Sequence, residues 1–291
     1  MSRYTAQMNS TALAALALSV LLHVAWNLMT RRTPPDVRFL WWALLGYLLI
    51  IGPWSLAALI LQADWSWRLS GLLTITCIAE AIYFLALGRA YRHAPVPLVY
   101  PIARSSPFLI ALWTVFFFGE PLSPLGWAGI VVCVIGVLWL GFSARGGEPT
   151  RALPWALLAA FGTSVYSTSN KLAVPALPNY ATDLGYVTVT IAVAWLALSI
   201  ENRAHTGRFV PKRAPPPFKW IVAGLFIGNA YALVIHAMQF IPAAYAVAIT
   251  NAGIVLAGVI AMVFFGERQR WRTRLAAMIV ICAGLVLLIA A

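Results

Sequence analysis

Four ionisable side chains stand inside long apolar stretches of this chain: His23, Glu80, Arg104 and His236. A charge at bilayer depth costs ~2.5–3.5 kcal/mol on insertion scales, so each should face protein or water rather than lipid. Glu80 lies nine residues before Arg89, and Arg104 eight residues after Val96. At 1.5 Å per helical residue those are depths of ~14 and ~12 Å from one end of two adjoining helices. Opposite charges at equal depth predict an ion pair. One reading is a clamp between the helices. The other is a switch, in which a substrate carboxylate or phosphonate competes for Arg104 and leaves Glu80 to take a proton, with His23 and His236 as relays.

Other polar residues gather at similar depth. Tyr83 shares a helical face with Glu80, and Tyr100 shares one with Arg104. Pro101 and Pro107 bracket the arginine; each removes an amide hydrogen and leaves a carbonyl four residues back without a partner, which predicts a kink. His23, Trp26 and Asn27 lie on one face of the first apolar segment, and Asn229 and His236 on one face of the eighth. Tyr166 stands in the polar run from Thr163 to Lys171, and Asn251 falls in the ninth segment. Any one of these is equally an interhelical hydrogen bond. Their concentration on segments 1, 3, 4, 6, 8 and 9 predicts a cavity lined by those helices, with 5 and 10 as outer packing.

The elements that must position these residues follow from composition. Hydrophobic residues make up 62% and charged ones 10% of the 291 residues, against roughly 25% charged in soluble domains. Ten apolar segments of ~20 residues can be read, at about 10–30, 39–61, 69–90, 96–118, 124–143, 152–171, 183–202, 218–240, 243–265 and 272–291. They lack the alternation of a membrane barrel, so helices are the spanning elements. The first segment runs on into Trp26-Asn27 without a small-residue cleavage site, which argues against a removable signal.

The chain repeats itself. Ile102 falls on Ile249, Arg104 on Asn251, and Phe117-Phe118-Gly119-Glu120 on Phe264-Phe265-Gly266-Glu267, all at an offset of 147. The linker Ser143–Thr150 separates residues 10–143 from 152–291. Five spans is an odd number, so the second unit enters the membrane inverted, and such halves meet around a midplane site. The expected fold is thus an all-α membrane protein of ten transmembrane helices in two inverted five-helix repeats around a central cavity, together one transmembrane domain.

Loop charge sets orientation. The loops after segments 1, 3, 5, 7 and 9 carry Arg31, Arg32, Arg38, Arg89, Arg92, Arg145, Arg151, Arg203, Arg208, Lys212, Arg213, Lys219, Arg268, Arg270, Arg272 and Arg274. The opposite side has Arg3, Arg68 and Lys171. The positive-inside rule places both termini outside, in an inner (plasma) membrane. The net charge of +12 is then a matter of anionic headgroups, not nucleic acid. The longest loop, about Arg203 to Lys219, reads as too polar to pack. Gly129, Cys133 and Gly136 give helix 5 a face of small residues for contact within the bundle. Gly119-Glu120-Pro121 reads as a helix stop with a left-handed glycine, repeated at Gly266-Glu267.

The duplicated unit, Phe-Gly-Glu closing segments 4 and 9, Tyr100-Pro101-Ile102-Ala103-Arg104, and His23-Val24-Ala25-Trp26-Asn27 before Arg31-Arg32 resemble the drug/metabolite transporter superfamily, in its ten-helix EamA branch. The resemblance implies alternating access around a central cavity and transport of small metabolites, often amino acids or related amphiphiles and commonly outward. Many members keep their termini in the cytoplasm, whereas loop charge here places them outside.

Other classes are less well served. A membrane enzyme would need an acid/base or metal cluster, and Cys77, Cys133 and Cys282 show no metal spacing. No phosphate-cradling glycine motif is present, so no nucleotide or other cofactor is expected. A structural subunit would not need a buried Glu and Arg. The expected partners are a small-molecule substrate, the lipid bilayer and protons as the candidate coupling ion. Uptake of a small amine, phosphonate or organic anion is the alternative within the transporter class.

Overall fold

The computed structural model describes residues 10–31, 37–94, 96–119, 121–142, 148–264 and 270–291. These form helices, with no strand among the described residues. In the first half they are α1 (Ser10–Arg31), α2 (Phe39–Ile50), α3 (Gly52–Gln62), α4 (Trp67–His93), α5 (Val96–Ala103), α6 (Ser106–Phe118) and α7 (Pro124–Phe142). In the second they are α8 (Pro149–Ala173), α9 (Tyr180–Thr206), α10 (Pro217–Ala237), α11 (Ala243–Thr250), α12 (Ala252–Phe264) and α13 (Trp271–Ile289).

Among the described residues, eight segments are long and apolar enough to cross a membrane, or nine if the bent pair α2 and α3 is one span. Ten were expected. The one that falls short is α8, which has the length at 25 residues but carries the run Thr163-Ser164-Val165-Tyr166-Ser167-Thr168-Ser169-Asn170-Lys171. That run is buried against the bundle rather than turned to lipid.

Three expected spans are interrupted, each for a local reason. Segment 2 bends by 59° between α2 and α3, where Pro53 in the first turn of α3 supplies no amide. Segment 4 breaks at Arg104-Ser105, between Pro101 inside α5 and Pro107 at the start of α6, as the two prolines predict. Segment 9 breaks at Asn251, the repeat partner of Arg104, with no proline at the break. Gly119, with φ 64, closes α6 in the expected left-handed conformation. Glu120, Gly266, Glu267 and the centre of the linker lie outside the described residues.

The packing repeats with the halves exchanged. α4 lies against α8, and α10 lies against α1; α4 also meets α9, and α10 meets α2. The pairs α7 with α13, α3 with α9 and α6 with α11 join corresponding spans of the two halves, the fifth, second and fourth of each. Between α7 and α13 the small face closes as expected within the bundle. A Cβ built on Gly136 would stand 2.8 Å from the Ile281 backbone nitrogen, and one on Gly284 would stand 2.5 Å from that of Cys133. Outward, Leu61, Phe116, Phe117 and Val263 are exposed, which suits lipid rather than water.

The long loop departs from expectation. α9 continues to Thr206 before Gly207 (φ 74) ends it, and the following residues fold back. Buried Asn202 donates to the Arg208 carbonyl, Trp42 donates to the Arg213 carbonyl, and the Arg203 guanidinium lies over the Phe209 ring.

Gly136→Leu should lower stability by ~1–3 kcal/mol through overpacking. Gly71→Ala, in α4 with nothing within 4 Å of the added carbon, should leave stability equal or raise it by up to ~1 kcal/mol through helix propensity. Thermal unfolding of purified protein in detergent checks both. Equal effects at the two positions would contradict the close α7–α13 approach.

Candidate functional site

The broken spans put their interruptions side by side. Arg104 leaves the α5–α6 break with Nε donating to the Tyr100 hydroxyl at 2.9 Å and Nη1 donating to the Thr250 hydroxyl at 3.2 Å. Its guanidinium carbon stands 5.0 Å from the Tyr100 ring centre. Asn251, on the facing break, donates Nδ2 to the Arg104 carbonyl at 3.4 Å and towards the Cys133 sulfur at 3.8 Å. The buried Asn251 Oδ1 has no partner among the described residues. Arg104 and Asn251 therefore meet across the repeat axis that the sequence offset implies.

Tyrosines form the adjoining wall. The Tyr83 and Tyr166 rings stand 5.9 Å apart, and the Tyr166 and Tyr231 rings 5.8 Å apart, both edge to face. Below them a network crosses four helices. Thr76 bonds the Asn170 Oδ1 at 3.2 Å and the Tyr186 hydroxyl at 2.8 Å, and Asn170 Nδ2 donates to Tyr231 at 2.8 Å. Trp113 Nε1 donates to Ser164 at 3.0 Å, closing the α6 side.

Glu80 lies on the other side of the tyrosines. It is 5% exposed and sits against Thr190 of α9, and its Oε2 has no hydrogen-bond partner among the described residues. No ion pair joins it to Arg104 among the described residues. The expected pair is therefore not formed here: Glu80 is turned towards Thr190 of α9 and Arg104 towards Thr250 of α11. Tyr83 stands one turn beyond Glu80 on α4, and its ring is the one that meets Tyr166.

The remaining predicted residues divide between this centre and the far end of the bundle. His23 is within reach of the Arg104 charge, but its Nδ1 is held at 3.0 Å by the Ser19 carbonyl of its own helix. Ser19 in turn donates to the Ala230 carbonyl at 2.7 Å, fastening α1 to α10. Asn27 bonds the His23 carbonyl at 2.7 Å, and Trp26 stands 6.5 Å from the His23 ring and packs on the core. Asn229 and His236 do not face Arg104. They meet Tyr180 of α9, whose hydroxyl donates to Asn229 Oδ1 at 3.0 Å and whose ring lies 5.7 Å from that of His236.

His236 also bonds an acid that sequence reasoning passed over. Its Nδ1 is 2.9 Å from Asp183 Oδ2, and the Asp183 side chain is fully buried. Glu80 is thus not the sole buried acid. Asp183 read as the edge of a segment beginning at 183, whereas a capping box of Asn179 and Thr182 starts α9 at Tyr180 and carries Asp183 inside. α9 also supplies Thr190 and Tyr186, so it belongs to the polar interior from which it had been left out. Lys171 donates Nζ to the Met238 carbonyl at 2.6 Å, satisfying the end of α10. Among the described residues, no group of His, Cys, Asp and Glu is gathered to hold a metal ion.

Chemically, the centre offers a guanidinium with further N–H groups to give, an unpartnered carboxylate oxygen and aromatic edges and faces. That set can bind and orient a small dipolar molecule, and a carboxylate can exchange a proton.

His236→Ala should cost roughly 1–3 kcal/mol by leaving Asp183 unsatisfied. Adding Asp183→Leu should recover part of that loss, because the unpaired buried acid is then gone. A double-mutant cycle by thermal unfolding measures this. Strict additivity would mean that the two groups do not interact.

Comparison with known proteins agrees with this architecture. The EamA-like transporter family matches residues 9–142 and again residues 150–290. A solved crystal structure at 20% identity superposes over 99% of this chain and 98% of its own length with a TM-score of 0.69, a likeness of fold alone. A comparison with curated protein sequences finds no match.

Proposed function

The chain belongs to the EamA-like transporter family, and we propose that it is a secondary transporter of a small zwitterionic metabolite, an amino acid or related amphiphile, exported in exchange for protons. One observation carries this reading. Arg104 and Glu80 are a base and an acid inside the bundle that are not paired with each other: Tyr100 and Thr250 hold the arginine, while the buried Glu80 Oε2 has no partner among the described residues. A substrate carboxylate suits the guanidinium, which forms strong charge-assisted hydrogen bonds. A substrate ammonium suits the unpartnered Glu80 oxygen and the tyrosine faces.

Exchange follows from competition at Glu80. The carboxylate holds either the substrate ammonium or a proton, so release of one favours uptake of the other. Crossing the bundle with an unneutralised carboxylate is costly. The halves, taken as inverted units of residues 10–143 and 152–291, would rock about the paired breaks at Arg104 and Asn251 to open the centre to either face. Tyr100 and Thr250 hold Arg104 between substrates. Loop charge supports termini on the outer face, and a fusion reporter after Ala291 that reads cytoplasmic would reject that orientation.

The test is counterflow of labelled amino acids and small organic ions in proteoliposomes. Arg104→Gln should abolish binding of the transported species, and Arg104→Lys should not restore it, because a point charge does not replace the planar fork. Glu80→Gln should abolish acceleration by a pH gradient. Wild-type rate and pH profile in both Arg104→Gln and Glu80→Gln would reject the mechanism.

A further inference from the structure

The face that carries the basic loops holds a pocket distinct from the central site. It measures about 250 Å³ and is lined by Arg38, Asn202, Thr206, Arg208, Pro211 and Lys212. That is smaller than the ~300–1,000 Å³ of sites for drug-sized ligands and suits a single polar headgroup. Among the described residues its lining holds cations from two separate parts of the chain and no acid. The acid on α9 nearby, Glu201, is engaged elsewhere, 3.4 Å from Arg92 and 3.9 Å from His205.

The walls are built rather than loose. Asn202 is 1% exposed and donates Nδ2 to the Arg208 carbonyl at 2.7 Å and to the Phe209 carbonyl at 3.3 Å. The Thr206 hydroxyl donates back to the Asn202 carbonyl at 2.7 Å. The Arg203 guanidinium stands 4.5 Å over the Phe209 ring, and Trp42 of α2 donates Nε1 to the Arg213 carbonyl at 3.0 Å. Opposite them Arg38 precedes α2 in a left-handed conformation, φ 47 and ψ 54, which a non-glycine residue adopts only against a steric cost. No side chain caps the first amides of α2 there, so the positive end of that helix adds to the field of Arg38.

We propose that this pocket binds the phosphate of an anionic lipid headgroup, clasping it between Arg38 at the start of α2 and Arg208 and Lys212 of the α9–α10 loop. Basic loops attract an anionic leaflet diffusely. Here the fixed loop and the strained arginine convert that attraction into one defined place. The bound phosphate bridges α2 to the α9–α10 loop and neutralises cations that otherwise repel one another across the pocket.

The test uses the full chain purified in neutral detergent. Retention of phosphatidylglycerol or phosphatidylcholine is followed by native mass spectrometry, and stabilisation by either lipid or by inorganic phosphate is followed by thermal unfolding. Arg38→Gln/Arg208→Gln/Lys212→Gln is compared with a control on the same face, Lys219→Gln/Arg272→Gln/Arg274→Gln. Wild type and control should retain one phosphatidylglycerol in preference to phosphatidylcholine. The pocket variant should bind it about a hundredfold more weakly, from three lost surface charges. Should that variant fail to fold, Lys212→Gln alone should show a roughly fivefold loss. Equal losses in pocket and control variants, or none in either, would overturn the site. Stabilisation by inorganic phosphate that depends on the same residues, without any by phosphatidylglycerol, would overturn the lipid assignment.

Discussion

A helix interrupted inside a bilayer must satisfy amides and carbonyls that the helix no longer satisfies, because no water is at hand to do so. Here two interruptions meet that requirement together. Asn251 reaches the Arg104 carbonyl, and Arg104 reaches the Thr250 hydroxyl. The amides at each break bond carbonyls of their own segment, and these two bonds cross from one break to the other, tying the two halves together there. The tyrosine wall and the Thr76–Asn170–Tyr231 network adjoin this junction, and the α7–α13 seam joins the last helices of the two halves. An arginine so placed also has the chemistry of an anion ligand, so the role proposed for Arg104 in binding would coincide with its structural one.

Much of this was legible in the sequence. The 147-residue offset announced the repeat, the proline bracket announced the α5–α6 break, and the offset itself named Asn251 as the partner of Arg104. What could not be read was rotation about helix axes. Counting residues gives height along a helix to within a turn. Whether Glu80 looks towards Arg104 or towards α9 depends on how α4 packs on α8 and α9, and those are contacts between distant segments. Depth matching therefore paired two groups that in fact flank Tyr83 and Tyr166.

Asp183 was missed for a different reason. A carboxylate in the first turn of a helix is ordinarily a solvated partner of the helix dipole, and nothing local distinguishes that case from a buried one. The signal that could have found it is His236, whose position near the end of α10 matches the start of α9 when the two helices are laid antiparallel. The α9–α10 loop erred the other way: its charge suggested solvation, while the packing of Asn202 and Trp42 holds it in place.

The central claim is that the paired breaks form one site that water and substrate reach alternately from the two faces. Cysteine labelling at Thr250 tests it most directly, in a background where Cys77, Cys133 and Cys282 are replaced and transport is retained. A membrane-impermeant thiol reagent applied to either side of oriented vesicles should modify Thr250→Cys from at least one face, and a transported substrate should protect it. Failure to react from both faces, while a loop cysteine reacts normally, would mean that the junction is sealed packing and not a transport site.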